Sequence, residues 1–200
     1  MTTPLTDDQI QTAVRLAAND PAALARIVAI IDAEQDAQPD RLDRPEALAE
    51  HAAAYAARGV PVFPLVPGAK RPLVPRGLHD ASTDPDQVAA WWRRWPQANI
   101  GMPTGHVADV IDVDGTAGAV AISPYLEGIR ARAIGVVSTP RDGGMHYYVP
   151  PAHVRKNSAS KLLAGVDTRA RGGYVVLPPS VTDEHGPRRR YQWLTPLTVA

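Results

Sequence analysis

Apolar positions in the first quarter of the chain recur at helical spacing. Within residues 5–37 this spacing predicts two amphipathic helices, the second opened by the Asn-Asp-Pro sequence at 19–21. The polar, proline-bearing stretch 35–45 has no such period and predicts a linker. A third helix is predicted over about 45–58, ending at Gly59, because glycine suits the left-handed position that follows a helix.

Beyond Gly59 the pattern changes to short apolar runs separated by prolines and glycines. Two segments still predict helices: one capped by Thr-Asp-Pro at 83–85, and one running from Pro124 to about Ala133. The apolar runs predict strands at 60–66, 107–114, 134–139, 145–149, 174–177 and 189–194. Helices and strands do not alternate regularly. The predicted fold is therefore α+β, with mixed or antiparallel sheets, flanking helices and a small N-terminal helical segment.

Composition narrows the possible classes of protein. Twenty prolines in 200 residues require short, often interrupted elements. The absence of cysteine excludes a disulfide framework, a thiolate zinc site and a cysteine nucleophile. With no signal-peptide pattern and no apolar run of about 20 residues, we expect a cytoplasmic protein.

Charge divides the chain, although the formal net charge is zero. Residues 1–50 carry ten acids against four arginines, a net charge of −6, and residues 51–200 carry +6. A basic body keeps nucleic-acid binding open. The acidic segment fits a solvated packing extension, a cover for a basic groove, or a docking element for a partner.

The first candidate for chemistry is the sequence Val-Ile-Asp-Val-Asp-Gly at 110–115. Alternation along a strand puts Asp112 and Asp114 on one face, roughly 7 Å apart. Two such carboxylates fit Mg²⁺ or Mn²⁺, which take oxygen ligands. They also fit two solvated side chains before a glycine turn. A calcium loop is excluded because Thr116 and Ala117 stand where it needs an acceptor and a glycine.

Two further segments carry candidate ligands. In the first, Arg141, Gly143 and Gly144 form a turn suited to phosphate and His146 follows on a strand, a pattern that a plain hairpin also satisfies. In the second, Asp167 stands in Val-Asp-Thr-Arg ahead of Gly-Gly-Tyr-Val-Val-Leu-Pro-Pro-Ser. Asp167 could cap a turn or add a third carboxylate, with Arg169 beside it to meet phosphate.

In order and spacing, these segments resemble the bifunctional DNA primase/polymerase (prim-pol) domain of the archaeo-eukaryotic primase superfamily, of the type found in phage and plasmid replication proteins. The resemblance runs from about Ala47 to Trp193 and includes Gly-Val-Pro-Val-Phe-Pro-Leu at 59–65, Lys70, and Ala-Asn-Ile-Gly-Met-Pro-Thr-Gly at 98–105. Residues 1–40 lie outside it. We therefore expect an acidic helical extension over 1–40 and a catalytic domain over 45–200.

The resemblance implies a nucleotidyl transferase with two divalent metals, Mg²⁺ or Mn²⁺, and no zinc. Its acids fall on Asp112, Asp114 and Asp167, and its phosphate-contacting histidine falls on His146. Weaker candidates for nucleotide binding are Lys70, Arg141, Gly143, Gly144 and Arg169. Relatives often have serine where this chain has Asp142, a carboxylate that must point away from a triphosphate or pair with Arg141.

The expected activity is primer synthesis and extension on single-stranded DNA from dNTPs or NTPs, in a replication protein with a fused or associated helicase. Two alternatives remain at this stage. One is a non-catalytic nucleic-acid-binding module on the same scaffold, and the other is a metal-dependent nucleotide hydrolase.

Overall fold

A computed structural model describes residues 45–154, 156–158, 163–183 and 189–199. The two helices expected within residues 5–37 and most of the expected linker lie outside these residues. Within the described ranges, no helix combines the length and the apolar character needed to cross a bilayer.

Two helices agree with their sequence signals. Helix α1, Pro45–Ala57, ends just before Gly59, whose φ of +77° is the left-handed conformation expected there. Helix α2, Pro85–Arg94, begins after Asp84, whose carboxylate accepts a hydrogen bond from the backbone N–H of Asp86. Local capping chemistry therefore sets these boundaries.

Among the described residues, ten short strands form the sheets. They are β1 Phe63–Leu65, β2 Asn99–Pro103, β3 Asp109–Val113, β4 Gly135–Ser138, β5 Met145–Val149, β6 Val166–Arg169, β7 Tyr174–Leu177, β8 Val181–Thr182, β9 Arg189–Arg190 and β10 Gln192–Thr195. A five-stranded sheet has the order β10-β4-β5-β3-β6, a three-stranded sheet the order β1-β2-β7, and β8 pairs with β9. All these pairings are antiparallel, which confirms the α+β prediction in its antiparallel form.

The helix predicted from Pro124 to Ala133 is wrong in its bounds. Two helices flank a 3₁₀ turn at Ser123–Tyr125: α3, Gly115–Ile122, and α4, Leu126–Arg130. Pro124 lies in the turn between them, where its missing N–H breaks no helical hydrogen bond. Helix α3 escaped prediction because Gly-Thr-Ala-Gly-Ala-Val-Ala-Ile has no clear polar face.

Strands β2 and β6 were also missed, and the strand predicted at 189–194 is two strands, β9 and β10, interrupted at Tyr191. Strand β2 contains a glycine and ends in proline, and β6 has four residues of which two are charged. Both are strands because neighbours pair with them.

Each face of the five-stranded sheet packs on a different layer. One face contributes Val110, Val137 and Tyr148 to the main core, which also holds the inner residues of the three-stranded sheet, α1 and α2. The other face packs against α3 and α4 through Val113, Tyr147 and Val166. Asp112 is two residues from Val110 and so shares the face of the main core. Its carboxylate therefore lies on the side of the sheet that faces the three-stranded sheet.

Candidate metal and nucleotide site

Strand register brings the candidate residues into one row. Asp112 on β3 lies directly opposite His146 on β5 and directly opposite Asp167 on β6. Directly opposed residues of antiparallel strands project from the same face. Asp114 follows at the end of β3, immediately before α3. Carboxylate oxygens of Asp112, Asp114 and Asp167 lie within 4.8 Å of one another.

Cationic side chains offset this concentration of negative charge. Nη2 of Arg169 lies 3.0 Å from Oδ2 of Asp167 and 3.4 Å from Oδ2 of Asp112. Nη1 of Arg141 lies 3.0 Å from Oδ1 of Asp114. Opposed carboxylates on neighbouring strands repel each other, so without these contacts the row would destabilise the sheet.

Asp112 is ionised in this setting. Burial by itself raises the pKa of Asp112, but the charge and hydrogen bond of His146, followed by those of Arg169, outweigh burial and lower the pKa to about 2. The hydrogen bond from His146 Nε2 to Asp112 Oδ1 is 3.3 Å long. Asp112 therefore offers a negative oxygen ligand at neutral pH.

His146 is held by packing as well as by this hydrogen bond. Its ring is buried, with the ring centroids of Tyr148 and Tyr191 at 6.3 and 5.8 Å. Its Nδ1 has no hydrogen-bond partner among the described residues. Tyr147 and Tyr148 are buried on opposite faces of the sheet. The only contact of His146 with a candidate ligand in the described part of the chain directs Nε2 at Asp112.

Asp114 is positioned by a close backbone crossing. Its N–H donates a 2.7 Å hydrogen bond to the carbonyl of Gly165, just before β6. A Cβ atom at Gly118 of α3 would collide with that same carbonyl oxygen. A glycine at 118 thus lets α3 approach Gly165 closely enough for the end of β3 to be tied to the start of β6.

The turn between β4 and β5 lies against the start of α3. Gly143 has a φ of +71°, and a Cβ built on it would lie 3.4 Å from the backbone nitrogen of Thr116. A Cβ on Gly144 would collide with the Thr139 hydroxyl. Glycine is therefore favoured at 143 by its positive φ and at 144 by the space that the Thr139 hydroxyl and the Arg141 carbonyl take up. The predicted hairpin is confirmed.

The carboxylate of Asp142 does not join the acidic group of Asp112, Asp114 and Asp167 among the described residues. Its partner is Arg189 on β9, and its side chain is 84% exposed. Arg141, the other partner that the sequence allowed, pairs with Asp114 instead. Arg189 was missed because 47 residues separate it from Asp142 and no local pattern connects the two.

Lys70 belongs to the other sheet. It lies in the loop after β1, where its carbonyl accepts a 3.1 Å hydrogen bond from the hydroxyl of Tyr174 on β7. Arg169, by contrast, lies on β6 of the five-stranded sheet, and Arg141 lies in the turn between β4 and β5.

Asn157 and Ser158 support β6 at the edge of that sheet and were also missed by sequence reasoning. Asn157 Oδ1 accepts from the N–H of Ala170 at 2.7 Å, and Ser158 Oγ accepts from the N–H of Thr168 at 2.9 Å. These bonds flank Asp167 and Arg169. Their only sequence signal is the general tendency of such side chains to bond backbone groups.

The donor set fits a divalent metal. Three carboxylates supply hard oxygen ligands, the kind that Mg²⁺ and Mn²⁺ prefer over softer metals. The side chain of Asp114 is 38% exposed, so the group is open to solvent at that end. The acidic triad could therefore hold a metal ion and leave part of its coordination shell for a substrate.

Comparison with known proteins agrees with this geometry. The sequence model of the Prim-Pol family, described as bifunctional DNA primase/polymerase, N-terminal, matches residues 52–200. No curated protein matches the chain. The matched region contains all four residues of the acidic and histidine row as well as both arginines that contact it. The chain therefore belongs to the Prim-Pol family, and residues 52–200 are a domain of the bifunctional DNA primase/polymerase type.

Proposed function

We propose that this domain joins nucleotides on a DNA template, using Mg²⁺ or Mn²⁺ held by Asp112, Asp114 and Asp167. The observation that carries the proposal is the convergence of these three carboxylates within 4.8 Å, in a chain of the Prim-Pol family. In the reaction a 3′-hydroxyl attacks the α-phosphorus of a dNTP or NTP, a phosphodiester bond forms and pyrophosphate leaves.

The metal would supply charge neutralisation and an activated attacking oxygen. The residues of the chain would hold the metal ligands in position. Asp112 is held ionised, and His146 fixes one of its oxygens through Nε2. The resemblance also implies a contact between His146 and phosphate. If Nε2 makes that contact, its hydrogen bond to Asp112 must first break.

The turn at Gly143 and Gly144 supports the proposal from another side. It lies beside the start of α3, and the exposed part of Arg141 extends from it. A guanidinium group matches phosphate oxygens well because it is planar and has several donors. We assign Arg141 and Arg169 to the triphosphate, and Lys70 to a more distant part of the nucleotide or template.

The partners in this proposal are a single-stranded DNA template, a primer and a free nucleotide, with a helicase fused or associated. The net charge of +6 over residues 51–200 suits binding to the DNA backbone. Because such binding releases counterions, affinity and activity should fall as salt rises.

A primer assay tests the proposal. The full chain is supplied with Mg²⁺ or Mn²⁺, labelled dNTPs or NTPs, and either a primed template or bare single-stranded DNA. We expect extension by the native chain and by the control Asp86→Asn, an exposed carboxylate on α2. We expect none from the double variant Asp112→Ala/Asp114→Ala. An active double variant would refute the site assignment.

The same assay separates the alternatives. A hydrolase would release phosphate from nucleotides without lengthening any primer. A non-catalytic binding module would bind DNA but show no metal-dependent nucleotide binding in a titration.

A further inference from the structure

The guanidinium group of Arg169 lies between the two carboxylates that face each other across β3 and β6. A single nitrogen, Nη2, contacts Oδ2 of Asp112 and Oδ2 of Asp167 at 3.4 and 3.0 Å. Across the described parts of the chain, these are the hydrogen bonds and ion pairs of the Arg169 side chain. Arg169 therefore occupies the position of a cation shared by the two carboxylates.

Arg141 makes a similar contact at the other end of the acidic group. Its Nη1 lies 3.0 Å from Oδ1 of Asp114. Each carboxylate of the triad thus contacts a guanidinium group. Asp112 has His146 as a second partner.

A metal ion and a guanidinium group cannot share these oxygens easily. Mg²⁺ binds carboxylate oxygens at about 2.0–2.1 Å and brings a double positive charge with it. A guanidinium at hydrogen-bond distance from the same oxygens would then face a like charge, which is unfavourable at such short range. The entry of metal should therefore displace Arg169 from at least one of its carboxylates.

We propose that Arg169, assisted by Arg141, is a displaceable counter-cation that stabilises the acidic triad without metal and couples metal entry to nucleotide binding. This inference rests on the proposed metal-dependent nucleotidyl transfer.

The coupling follows from where the displaced guanidinium can go. About one third of the Arg169 side chain is exposed and Arg141 is more exposed still, so both can turn toward solvent. A triphosphate offers each of them a new anionic partner with matching geometry. Nucleotide binding thus favours metal entry, and by reciprocity metal binding favours the nucleotide by the same factor.

Removing the charge of Arg169 should therefore strengthen metal binding when no nucleotide is present. The test is a calorimetric titration of the metal-free full chain with Mn²⁺ alone. For Arg169→Gln we expect binding about tenfold tighter than for the native chain, which corresponds to about 1.4 kcal/mol. Arg141→Gln should bind Mn²⁺ more tightly by a smaller factor, because the Arg141 side chain is more exposed than that of Arg169 and its contact with Asp114 is better screened by solvent.

Two control variants separate charge removal from other effects. Arg171→Gln removes an arginine from an exposed position two residues further along and should bind Mn²⁺ like the native chain. Arg169→Lys keeps the positive charge and should also stay close to the native affinity. If Arg169→Gln does not fold, Arg141→Gln on its exposed turn carries the same test.

A second titration measures the coupling, using a non-hydrolysable dNTP analogue with and without Mn²⁺ and a blank for the complex of the two in buffer. In the native chain Mn²⁺ should strengthen binding of the analogue, and in Arg169→Gln this strengthening should be smaller. Equal coupling in the two proteins would overturn the inference.

Mn²⁺ titrations distinguish an error in the counter-cation role of Arg169 from an error in the proposed metal site. If the native chain binds Mn²⁺ but Arg169→Gln and Arg141→Gln bind it no more tightly, the counter-cation role is wrong and the metal site stands. If Asp112→Asn binds Mn²⁺ as the native chain does, or if neither the native chain nor Arg169→Gln binds it, the triad is not the metal site and both the inference and the proposed function are wrong.

Discussion

A single methyl group at position 118 should disturb both stability and the site. Gly118 lies in α3, where alanine normally favours the helix. Here, however, an added Cβ would lie 3.0 Å from the carbonyl carbon of Gly165 and 3.1 Å from Cγ1 of Val113, and closer still to the Gly165 oxygen. Ordinary carbon–carbon contacts are about 3.5–4.0 Å, so α3 and the start of β6 must separate.

Three effects combine in the expected change in the free energy of unfolding of Gly118→Ala. Overpacking costs about 1–3 kcal/mol, and weakening the 2.7 Å hydrogen bond from Asp114 to Gly165 costs about 1 kcal/mol more. The higher helix propensity of alanine stabilises the folded state by about 0.5–1 kcal/mol and partly offsets these losses. The net loss for Gly118→Ala should be about 2 kcal/mol, which lowers Tm by about 4–8 °C in a domain of this size.

Gly128 provides a matched control because it also lies in a helix, α4. A Cβ there would meet only the end of the Arg132 side chain, at 3.5 Å. Gly128→Ala should therefore be neutral or slightly stabilising. Chemical denaturation and thermal unfolding of both variants, followed by circular dichroism, measure the difference.

The same substitution should also weaken metal binding, because the shift of Gly165 moves Asp114 relative to Asp167. Mn²⁺ titration of Gly118→Ala and Gly128→Ala under native conditions tests this. If Gly118→Ala proves as stable as Gly128→Ala, the close crossing of α3 and β6 is not rigid and the reasoning is refuted.

Further predictions concern buried hydroxyls, acid stability and the N-terminal segment. Tyr55→Phe should cost about 1–3 kcal/mol in chemical denaturation, because its hydroxyl joins Trp193 Nε1 to a backbone carbonyl and both would lose their partner. Tyr148→Phe should be neutral or stabilising in the same experiment, because its buried hydroxyl has no partner among the described residues. Folding lowers the pKa of Asp112 from 3.8 to about 2, so in metal-free protein its ionised form should add about 2 kcal/mol to the free energy of unfolding. This contribution is present above about pH 4 and is lost as the pH falls toward 2. Asp112→Asn should therefore flatten that part of the curve of stability against pH. Removal of residues 1–43 should leave cooperative thermal unfolding and metal-dependent primer extension intact, because the family match and the carboxylates lie beyond them. If that segment covers a basic groove, the shortened chain should also bind single-stranded DNA more tightly at low salt.

Local chemistry made part of the fold predictable. The end of α1 at Gly59, the start of α2 after Asp84 and the hairpin of β4 and β5 all depend on residues within a few positions of one another. Capping, the left-handed conformation of glycine and turn formation act over that range, so the signals are readable in the chain.

The first carboxylate pair was predictable for the same reason. Asp112 and Asp114 are two residues apart, and strand alternation alone puts them on one side. The inclusion of Asp167 and His146 in the same site rested on the order of the motifs along the chain, since no local rule relates residues so far apart.

Other features depended on tertiary contacts. Strand β2 has a glycine within it and a proline at its end and is a strand because β1 and β7 pair with it. Helix α3 lacks a polar face and is held by its approach to Gly165 and by packing against the five-stranded sheet. Sequence patterns reflect the average surroundings of a residue type, whereas the secondary structure of these two segments depends on their particular tertiary contacts.

The sequence by itself determined the residue types, their order and the strand alternation that presents two carboxylates together. Tertiary structure alone decided the register that places Asp167 and His146 on either side of Asp112, the pairing of Arg189 with Asp142, and the position of Arg169 between two carboxylates. The physical reason is distance along the chain: backbone preferences extend over a few residues, whereas the charges of this site are balanced by side chains on strands that are joined only when the whole sheet has formed.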